Sequence, residues 1–137
     1  MRQPQIVVFE RDGRLTVQLR PLAESRRWPL REFRQFDACV QSLEAPGPAV
    51  LVIRLGRDVE RELKLLMETG QRFPETRTVA VGDSEEATLL AAIAWDLSAD
   101  FVLFPPLSRE LLTDVVAGLL SQNSNTSQDT ASNDTNR

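Results

Sequence analysis

Residues 49–82, AVLVIRLGRDVERELKLLMETGQRFPETRTVAVG, contain the pattern that decides the fold. This stretch begins with one apolar run, at 49–53, and ends with another, at 78–82, and both are rich in β-branched residues. Short apolar runs without alternation are typical of strands in a parallel sheet whose two faces are both covered. A parallel pair of strands needs a crossover connection, which is usually a helix. The stretch is therefore predicted to form a strand, a helix and a second strand.

The residues between the two runs carry the signals of an amphipathic helix. Asp58 is placed to cap the start of this helix, and Gly70 is placed to close its end. The carboxylates of Asp58, Glu60 and Glu62 are expected to be solvated, because helical spacing spreads them around the axis. The apolar positions that recur at helical spacing are Val59, Leu63, Leu66 and Met67.

The same alternation of strands and helices extends along the chain in both directions. Two further apolar runs lie at 5–9 and 100–104, an edge strand is expected at 29–34, and a short helix at 37–45. Two later helices have expected apolar faces at Leu89, Leu90, Ile93 and Leu97, and at Leu111, Leu112, Val115, Leu119 and Leu120. If residues 10–22 are also helical, a strand is followed by a helix five times.

Residues 10–22 fit two local structures. Alternating apolar residues after Arg-Asp-Gly are typical of a hairpin, whereas apolar residues at i, i+4 and i+7 are typical of a helix. In the helical case Asp12 would be the N-cap and Pro21 would kink the helix. The surrounding alternation favours the helix. The apolar residues concerned are Leu15, Val17, Leu19 and Leu22.

The composition limits the chemistry that the chain can perform. A length of 137 residues with 42% hydrophobic residues suits one domain with one core. The absence of His excludes Ser-His-Asp and Cys-His catalysis, His metal ligands and a phosphohistidine carrier. A single Cys, Cys39, excludes an internal disulfide and multi-cysteine metal sites, and we expect it to be a buried apolar residue.

The folded domain is predicted to span residues 1–120, followed by a disordered polar tail at 121–137. The tail contains no Leu, Ile, Val or aromatic residue, so it cannot bury enough apolar surface to offset its ordering entropy. No apolar run is long enough to span a membrane, and the N-terminus lacks the features of a signal peptide. A cytoplasmic protein is expected.

Charge is unevenly distributed along the chain. Residues 1–36 contain eight Arg and four acidic residues, whereas the remainder contains eight basic and sixteen acidic residues. The basic first third is either an ordinary solvated surface or a patch for nucleic acid or an acidic partner. The net charge of −4 argues against a dedicated nucleic-acid binder.

Five strand–helix pairs predict an α/β fold with a single five-stranded parallel sheet, doubly wound, with helices on both faces. The usual strand order for five strands is the flavodoxin-like order 2-1-3-4-5. In such a sheet the ligand site lies beyond the carboxyl ends of the strands, where the strand order reverses. We therefore expect the site beyond the strands that start at residues 5 and 49.

The lengths, the alternation and the segment DFVLFPPLSRELL at 100–112 resemble the receiver domains of bacterial response regulators. The resemblance covers about residues 4–120 and is carried more by pattern than by motifs. It implies acidic Mg²⁺ ligands after the first strand and a phosphoryl-accepting Asp at the end of the third. It also implies a Thr or Ser after the fourth strand and a Lys-Pro pair after the fifth.

Most of these reactive residue types are replaced in this chain. The acidic pair falls on Glu10 and Arg11, with Asp12 next, and the acceptor position falls on Arg54, which cannot form an acyl phosphate and repels Mg²⁺. The remaining positions of this vestigial pocket are Gly82, Phe104 and Pro105. We hypothesise that Arg54 pairs with Glu10 or Asp12 and fixes the domain in one state; the alternative is a loose surface Arg. A cis Phe104–Pro105 bond is also predicted by resemblance.

A partner-binding face is implied at the fourth helix, fifth strand and fifth helix, which is the usual dimer or output surface of receivers. Trp95, Arg109 and Asp114 are the candidates there. For Trp95 the alternative is a residue at the rim of the core.

The resulting interpretation is a phosphorylation-independent interaction module in bacterial signal transduction. It is not an enzyme, it has no metal or cofactor, and it dimerises or binds an unidentified protein. One alternative is a sensor that binds a small molecule or anion through Arg54 and Arg11 in the strand-end crevice. Another is a nucleic-acid contact through residues 1–36.

Overall fold

The computed structural model describes residues 4–82, 88–97, 99–104 and 110–121. Within these residues, five strands alternate with five helices. The strands are β1 (Gln5–Phe9), β2 (Leu30–Phe33), β3 (Ala49–Arg54), β4 (Thr76–Val81) and β5 (Phe101–Leu103). The helices are α1 (Arg14–Arg26), α2 (Phe36–Leu43), α3 (Val59–Arg72), α4 (Thr88–Asp96) and α5 (residues 111–121).

The strands form one parallel sheet in the order β2-β1-β3-β4-β5. The predicted doubly wound sheet and its strand order are confirmed. β1 and β3 are adjacent, and Phe9 at the end of β1 is in register with Ile53 near the end of β3. The strand order reverses between these two strands, so their carboxyl ends border the crevice in which ligands of such sheets bind.

Two hydrophobic cores lie on opposite faces of the sheet. One contains side chains of α1 and α5, and the other contains side chains of α2, α3 and α4. Successive residues of β3 enter the two cores in turn, with Leu51 in one and Val52 in the other. All six residues of β3 are buried, which explains why its sequence reads as an unbroken apolar run that ends in Arg54.

Residues 14–26 form helix α1, which resolves the ambiguity between a hairpin and a helix. The helix continues through Pro21. The prediction that Asp12 caps this helix is wrong, because the N-cap position falls on Gly13, whose φ of 74° is left-handed. The N–H of Leu15 in the first turn instead donates a hydrogen bond to the carboxylate of Glu10, at 2.8 Å.

Helix α3 differs from its prediction at both ends. Asp58 occupies the N-cap position but makes no side-chain capping hydrogen bond. At the other end Gly70 does not stop the helix, which continues to Arg72 because glycine also adopts helical angles. The hydrogen bond from the N–H of Phe73 to the carbonyl of Thr69 satisfies one carbonyl of the last turn.

The predicted apolar faces of three helices are confirmed in part, since Leu66, Leu112 and Leu120 are buried, but each face includes one exposed residue. Met67, Leu89 and Leu111 were expected inside but are 41%, 72% and 40% exposed. Adjacent residues of a helix differ by about 100° around the axis, so pairs such as Leu111 and Leu112 leave two candidate faces. The completely or almost completely buried apolar positions in these helices are Leu65, Leu66, Ala94, Leu112, Val116 and Leu120.

None of the helices in the described ranges is long and apolar enough to cross a membrane.

Candidate functional site

The candidate site lies at the carboxyl ends of β1 and β3. Glu10 follows the last residue of β1, and Arg54 is the last residue of β3. Because Phe9 is in register with Ile53, the next residue of each strand reaches the same edge of the sheet. Parallel pairing therefore brings together two side chains that are 44 residues apart in sequence.

Arg54 joins two carboxylates at the centre of this site. Its Nη1 atom lies 3.2 Å from Oε2 of Glu10, and 3.0 Å from both carboxylate oxygens of Asp12. The Arg54 and Glu10 side chains are 7% and 0% exposed, whereas the Asp12 side chain is 28% exposed. The predicted pairing of Arg54 with Glu10 or Asp12 is confirmed, and it involves both carboxylates.

Glu10 accepts hydrogen bonds both from Arg54 and from the first turn of helix α1. Its Oε2 atom contacts Arg54, while its Oε1 atom accepts the hydrogen bond from the N–H of Leu15. Burial raises the pKa of Glu10 above its usual value, and the Leu15 and Arg54 hydrogen bonds oppose this rise. The carboxylate therefore depends on both partners to remain ionised beneath the surface.

Asp12 connects the buried pair to the surface. Its Oδ2 atom lies 3.1 Å from Nη2 of Arg57 and 3.9 Å from Nε of Arg14, both of which are exposed. Partial desolvation acts to raise the pKa of Asp12. Hydrogen bonding with Glu10 and the charges of Arg54 and Arg57 outweigh it, so this pKa is lowered.

The guanidinium of Arg54 occupies the position between the carboxylates of Glu10 and Asp12 that a cation would need. Within the described residues, no group of three or more Cys, Asp or Glu side chains is arranged to hold a metal ion. Cys39 is fully buried, as expected, and burial raises the pKa of its thiol to about 12. A buried thiol with a raised pKa is a poor nucleophile, which agrees with the expectation that Cys39 is an apolar core residue.

Gly82 and Phe104 form the adjoining part of the site. The N–H of Gly82 donates to the carbonyl of Leu103, at 3.0 Å, which holds the ends of β4 and β5 together. A Cβ atom on Gly82 would overlap the Phe104 ring, which is 6% exposed. An aromatic ring therefore fills the volume in which a side chain at position 82 would stand. Pro105, and with it the predicted cis bond, lies outside the described residues.

A cavity of about 320 Å³ opens beside the Arg54 network. Its walls come from the ends of β1, β2 and β3 and from the starts of α2 and α3. The sequence pattern indicated Arg11 and Arg54 in this crevice, whereas nothing in it pointed to Arg34, Arg57 or Arg61. The lining residues are Phe9, Glu10, Arg11, Arg34, Gln35, Arg54, Arg57, Asp58, Arg61 and Glu62.

Glu62 organises the loop between β3 and α3. Its Oε1 atom accepts a hydrogen bond from the backbone N–H of Gly56 at 2.8 Å, and its Oε2 atom accepts one from the backbone N–H of Asp58 at 2.9 Å. Glu62 is 4% exposed, so the prediction that it is solvated is wrong. Its position four residues after Asp58 is the sequence signal that could have suggested this contact.

Of the three candidate partner residues, the structure describes Trp95 and Asp114, and neither of them lines this cavity. Trp95 on α4 is 52% exposed, and its ring centroid lies 6.4 Å from that of Phe101 on β5. Asp114 on α5 is exposed, while Arg109 lies outside the described residues. Trp95 and Phe101 thus form an aromatic surface where α4 meets β5.

Comparison with known proteins identifies the fold. No family model and no curated protein matches the sequence. The signal receiver domain of a Luxo repressor protein from Vibrio parahaemolyticus superimposes with a TM-score of 0.73 at 16% identity, covering 93% of this chain and 97% of its own. A response regulator from Thermotoga maritima gives 0.70 at 15% identity, over 88% and 99%. An adenylate cyclase from Rhodopirellula baltica gives 0.72 at 8% identity, over 96% of both chains. The chain therefore has the receiver fold.

Proposed function

We propose that this chain is a receiver-fold interaction module of a signalling assembly that works without phosphorylation and without catalysis. One observation carries the proposal: a buried arginine, Arg54, ends the third strand and is held by Glu10 and Asp12. The receiver domains among its structural relatives support the signalling context. Arg54, Gly82 and Phe104 each support the absence of phosphotransfer.

The charge of Arg54 is permanent at physiological pH, because a guanidinium does not lose its proton in proteins. It contacts both carboxylates that could otherwise serve as Mg²⁺ ligands. A divalent cation would have to displace a buried, hydrogen-bonded guanidinium and would then be repelled by it. The ion pair thus supplies internally the positive charge that the resemblance assigns to a metal.

The replacements at Gly82 and Phe104 support the same interpretation. The resemblance assigns a hydroxyl and an amine to these two positions, and both groups would contact a phosphoryl group. The Phe104 ring fills the space beside Gly82 with an apolar surface that cannot donate a hydrogen bond. Two further phosphate-binding groups are therefore absent from positions 82 and 104.

Acetyl phosphate with Mg²⁺ tests the proposal. We expect no mass increase of about 80 Da, which corresponds to one added phosphate, and no change in tryptophan fluorescence. A receiver domain known to accept phosphate is treated in parallel and shows that the reagent is active. A phosphorylated acidic side chain in this protein would refute the proposal.

We further propose that the surface formed by α4, β5 and α5 binds a second copy of this chain. The support is the half-exposed Trp95 beside Phe101, with the exposed Asp114 on the adjacent helix, because aromatic residues are favoured at interface centres. A self-complementary dimer needs only this one surface. The solution mass of the Trp95→Ala variant, compared with a Val17→Ala control on α1, tests it. Dimers that persist in Trp95→Ala, or monomers in the unmodified protein, would exclude this dimer.

A further inference from the structure

The cavity beside Arg54 carries an excess of positive charge. Its lining includes five guanidinium groups and three carboxylates. The carboxylate of Asp12, which contacts Arg54 and Arg57, adds a fourth negative charge, so the local excess is one positive charge. The chain as a whole has a net charge of −4. The positive potential is therefore local to this concave site, where low-dielectric walls focus it. The guanidinium groups belong to Arg11, Arg34, Arg54, Arg57 and Arg61, and the carboxylates belong to Glu10, Asp58 and Glu62.

Several of these charged groups have close partners within the protein, among them Arg57, whose Nη2 atom lies 3.1 Å from Oδ2 of Asp12. Arg54 is held by Glu10 and Asp12, so it is not available to a ligand, contrary to the role that the sequence suggested for it. The oxygens of Glu62 accept hydrogen bonds from the backbone of the loop after β3. The remaining cationic groups determine what the cavity can bind.

Arg11 and Arg61 already converge on one anionic oxygen. Nη2 of Arg11 lies 3.8 Å from Oδ2 of Asp58, and Nε of Arg61 lies 3.6 Å from the same atom. Both distances are longer than a hydrogen bond, and both arginine side chains are 65% exposed. They can therefore rearrange towards a stronger acceptor at little cost in packing. The carboxylate of Asp58 therefore stands where a bound anion would stand, but its contacts with Arg11 and Arg61 are long.

Arg34 adds a third guanidinium on another wall of the cavity. It follows the last residue of β2, is exposed, and forms no ion pair within the part of the chain that the structure describes. Gln35, next to it, is the N-cap of α2 and makes no side-chain capping hydrogen bond. Arg34 is thus a cation without a carboxylate of its own, directed by its strand to the cavity rim.

We propose that this cavity binds a small phosphorylated molecule, with Arg11, Arg34 and Arg61 contacting the phosphate group. A phosphate monoester carries about −1.5 to −2 charges and three acceptor oxygens, which suit the three guanidinium groups of Arg11, Arg34 and Arg61. Planar guanidinium groups bind such oxygens in pairs. A volume of about 320 Å³ is at the small end of ligand sites, so it suits a phosphate on a small organic body.

Isothermal titration with glycerol 3-phosphate tests the proposal on the full chain. We expect saturable binding at one site, and binding of citrate about tenfold weaker or less, because its planar carboxylates do not offer three oxygens on one centre. Equal binding of citrate would overturn the phosphate assignment. Absence of saturable binding of glycerol 3-phosphate would overturn the proposal as a whole.

Three variants with opposite expected effects identify the site. Arg34→Gln and Arg61→Gln should each weaken binding of glycerol 3-phosphate about tenfold, since each removes a charge-assisted hydrogen bond. Asp58→Asn should strengthen binding, because it removes the competing carboxylate between Arg11 and Arg61. Arg31→Gln is the matched control. Arg31 is exposed on β2, the strand that leads to Arg34, and it does not line the cavity.

The pattern across the variants decides the outcome, provided that circular dichroism shows each variant to be folded. Equal losses in Arg31→Gln and Arg34→Gln would mean attraction to general surface charge and would overturn the proposed site. Weaker or unchanged binding in Asp58→Asn would also contradict it. The proposal goes beyond the proposed function and is separable from it, because phosphorylation by acetyl phosphate is measured as a covalent adduct and ligand binding as a reversible equilibrium.

Discussion

At the residue scale, the buried contact between Arg54 and Glu10 is the feature of this molecule on which most depends. The Glu10 side chain is fully buried and that of Arg54 nearly so. Removing one partner of such a pair is far more damaging than removing both, because the remaining charge is left without compensation. The stability of the fold is therefore tied to the identity of residue 54.

Arg54→Met should lower the free energy of unfolding at neutral pH by about 3–5 kcal/mol, because Glu10 would remain buried beside an apolar side chain. Urea unfolding followed by tryptophan fluorescence measures this change. The double variant Arg54→Met/Glu10→Gln is the control and should recover part of the loss. A variant as stable as the unmodified protein would show that the pair is not structurally important.

The loss in Arg54→Met should also depend on pH. The pKa of Glu10 is raised in the folded protein, so the folded state binds a proton more readily than the unfolded chain above the ordinary value of 4.5. The contribution of Glu10 to stability therefore increases as pH falls through that interval. Arg54 lowers this pKa, so its removal widens the interval. The difference between variant and unmodified protein should shrink as the pH falls from neutrality towards the ordinary pKa of 4.5, and a constant difference would contradict the assignment.

The close approach of Gly82 and Phe104 predicts a specific coupling between these two positions. Gly82→Ala should destabilise the fold by about 1–3 kcal/mol, because the added methyl group overlaps the aromatic ring. In a Phe104→Leu background the same substitution should be less damaging, and a double-mutant cycle measures the difference. Gly118→Ala is the control, since that glycine is exposed within α5 with no atom near its Cβ position, and it should stabilise by about 0.5–1 kcal/mol. Additive effects at 82 and 104 would exclude the contact.

At the element scale, the connection between β3 and α3 depends on one carboxylate. Glu62 on α3 accepts hydrogen bonds from the backbone N–H groups of Gly56 and Asp58, so the helix holds the loop that leads into it. The loop carries Arg57 and Asp58, which both line the cavity. Arg57 also contacts Asp12 of the ion-pair network. The geometry of the candidate site thus depends on the start of α3.

Glu62→Ala should cost about 1.5–3 kcal/mol for each hydrogen bond to the charged group that is lost without replacement by water. Glu62→Gln keeps one acceptor oxygen and should be intermediate. Glu60→Ala, at an exposed position of the same helix, should change stability by less than about 0.5 kcal/mol. Hydrogen exchange of the Gly56 and Asp58 amides should accelerate in Glu62→Ala alone, and unchanged exchange there would contradict this role.

The sequence predicted the elements better than it predicted their faces. Unbroken apolar runs such as 49–53 identify central parallel strands because both of their faces are buried. The strand order followed from the usual arrangement of five such strands. Periodicity could not orient α4 and α5, because neighbouring apolar residues such as Leu111 and Leu112 define two overlapping faces. The packing partner, which is tertiary information, decides between them.

The same limit applies to the candidate site. The contact between Arg54 and Glu10 could be predicted because register alone places the ends of adjacent parallel strands together. The burial of Glu62 and the contribution of Arg34 and Arg61 to the cavity depend on loop geometry. Spacing along the chain offered a signal only for the contact of Glu62 with Asp58, four residues earlier.

At the scale of the whole molecule, the crevice between the ends of β1 and β3 collects the features that distinguish this chain. The strand order reverses there, the buried ion pair closes its floor, and the cationic cavity opens beside it. Ligand sites of doubly wound sheets form at this position because adjacent loops diverge to opposite faces. Substitution of the reactive residues therefore leaves the geometry of a binding site in place.

The extent of the folding unit is the remaining prediction at this scale. The predicted tail begins at residue 121, but Ser121 still belongs to α5, and the rest of the tail, 122–137, lies outside the described residues. Residues 122–137 contain no Leu, Ile, Val or aromatic residue, so their removal should change the free energy of unfolding by less than about 0.5 kcal/mol. A chain that ends after Glu110 is the contrasting control. It lacks Leu112, Val116 and Leu120, all fully buried against the sheet. Each such residue contributes about 2–5 kcal/mol, and a domain of this size has only about 5–15 kcal/mol in total. The shorter chain should therefore not fold, whereas the chain that ends after Ser121 should unfold in one cooperative transition, measured by urea titration. A large loss of stability in that longer chain would contradict the predicted boundary, because it would require contacts from residues whose composition offers little apolar surface to bury.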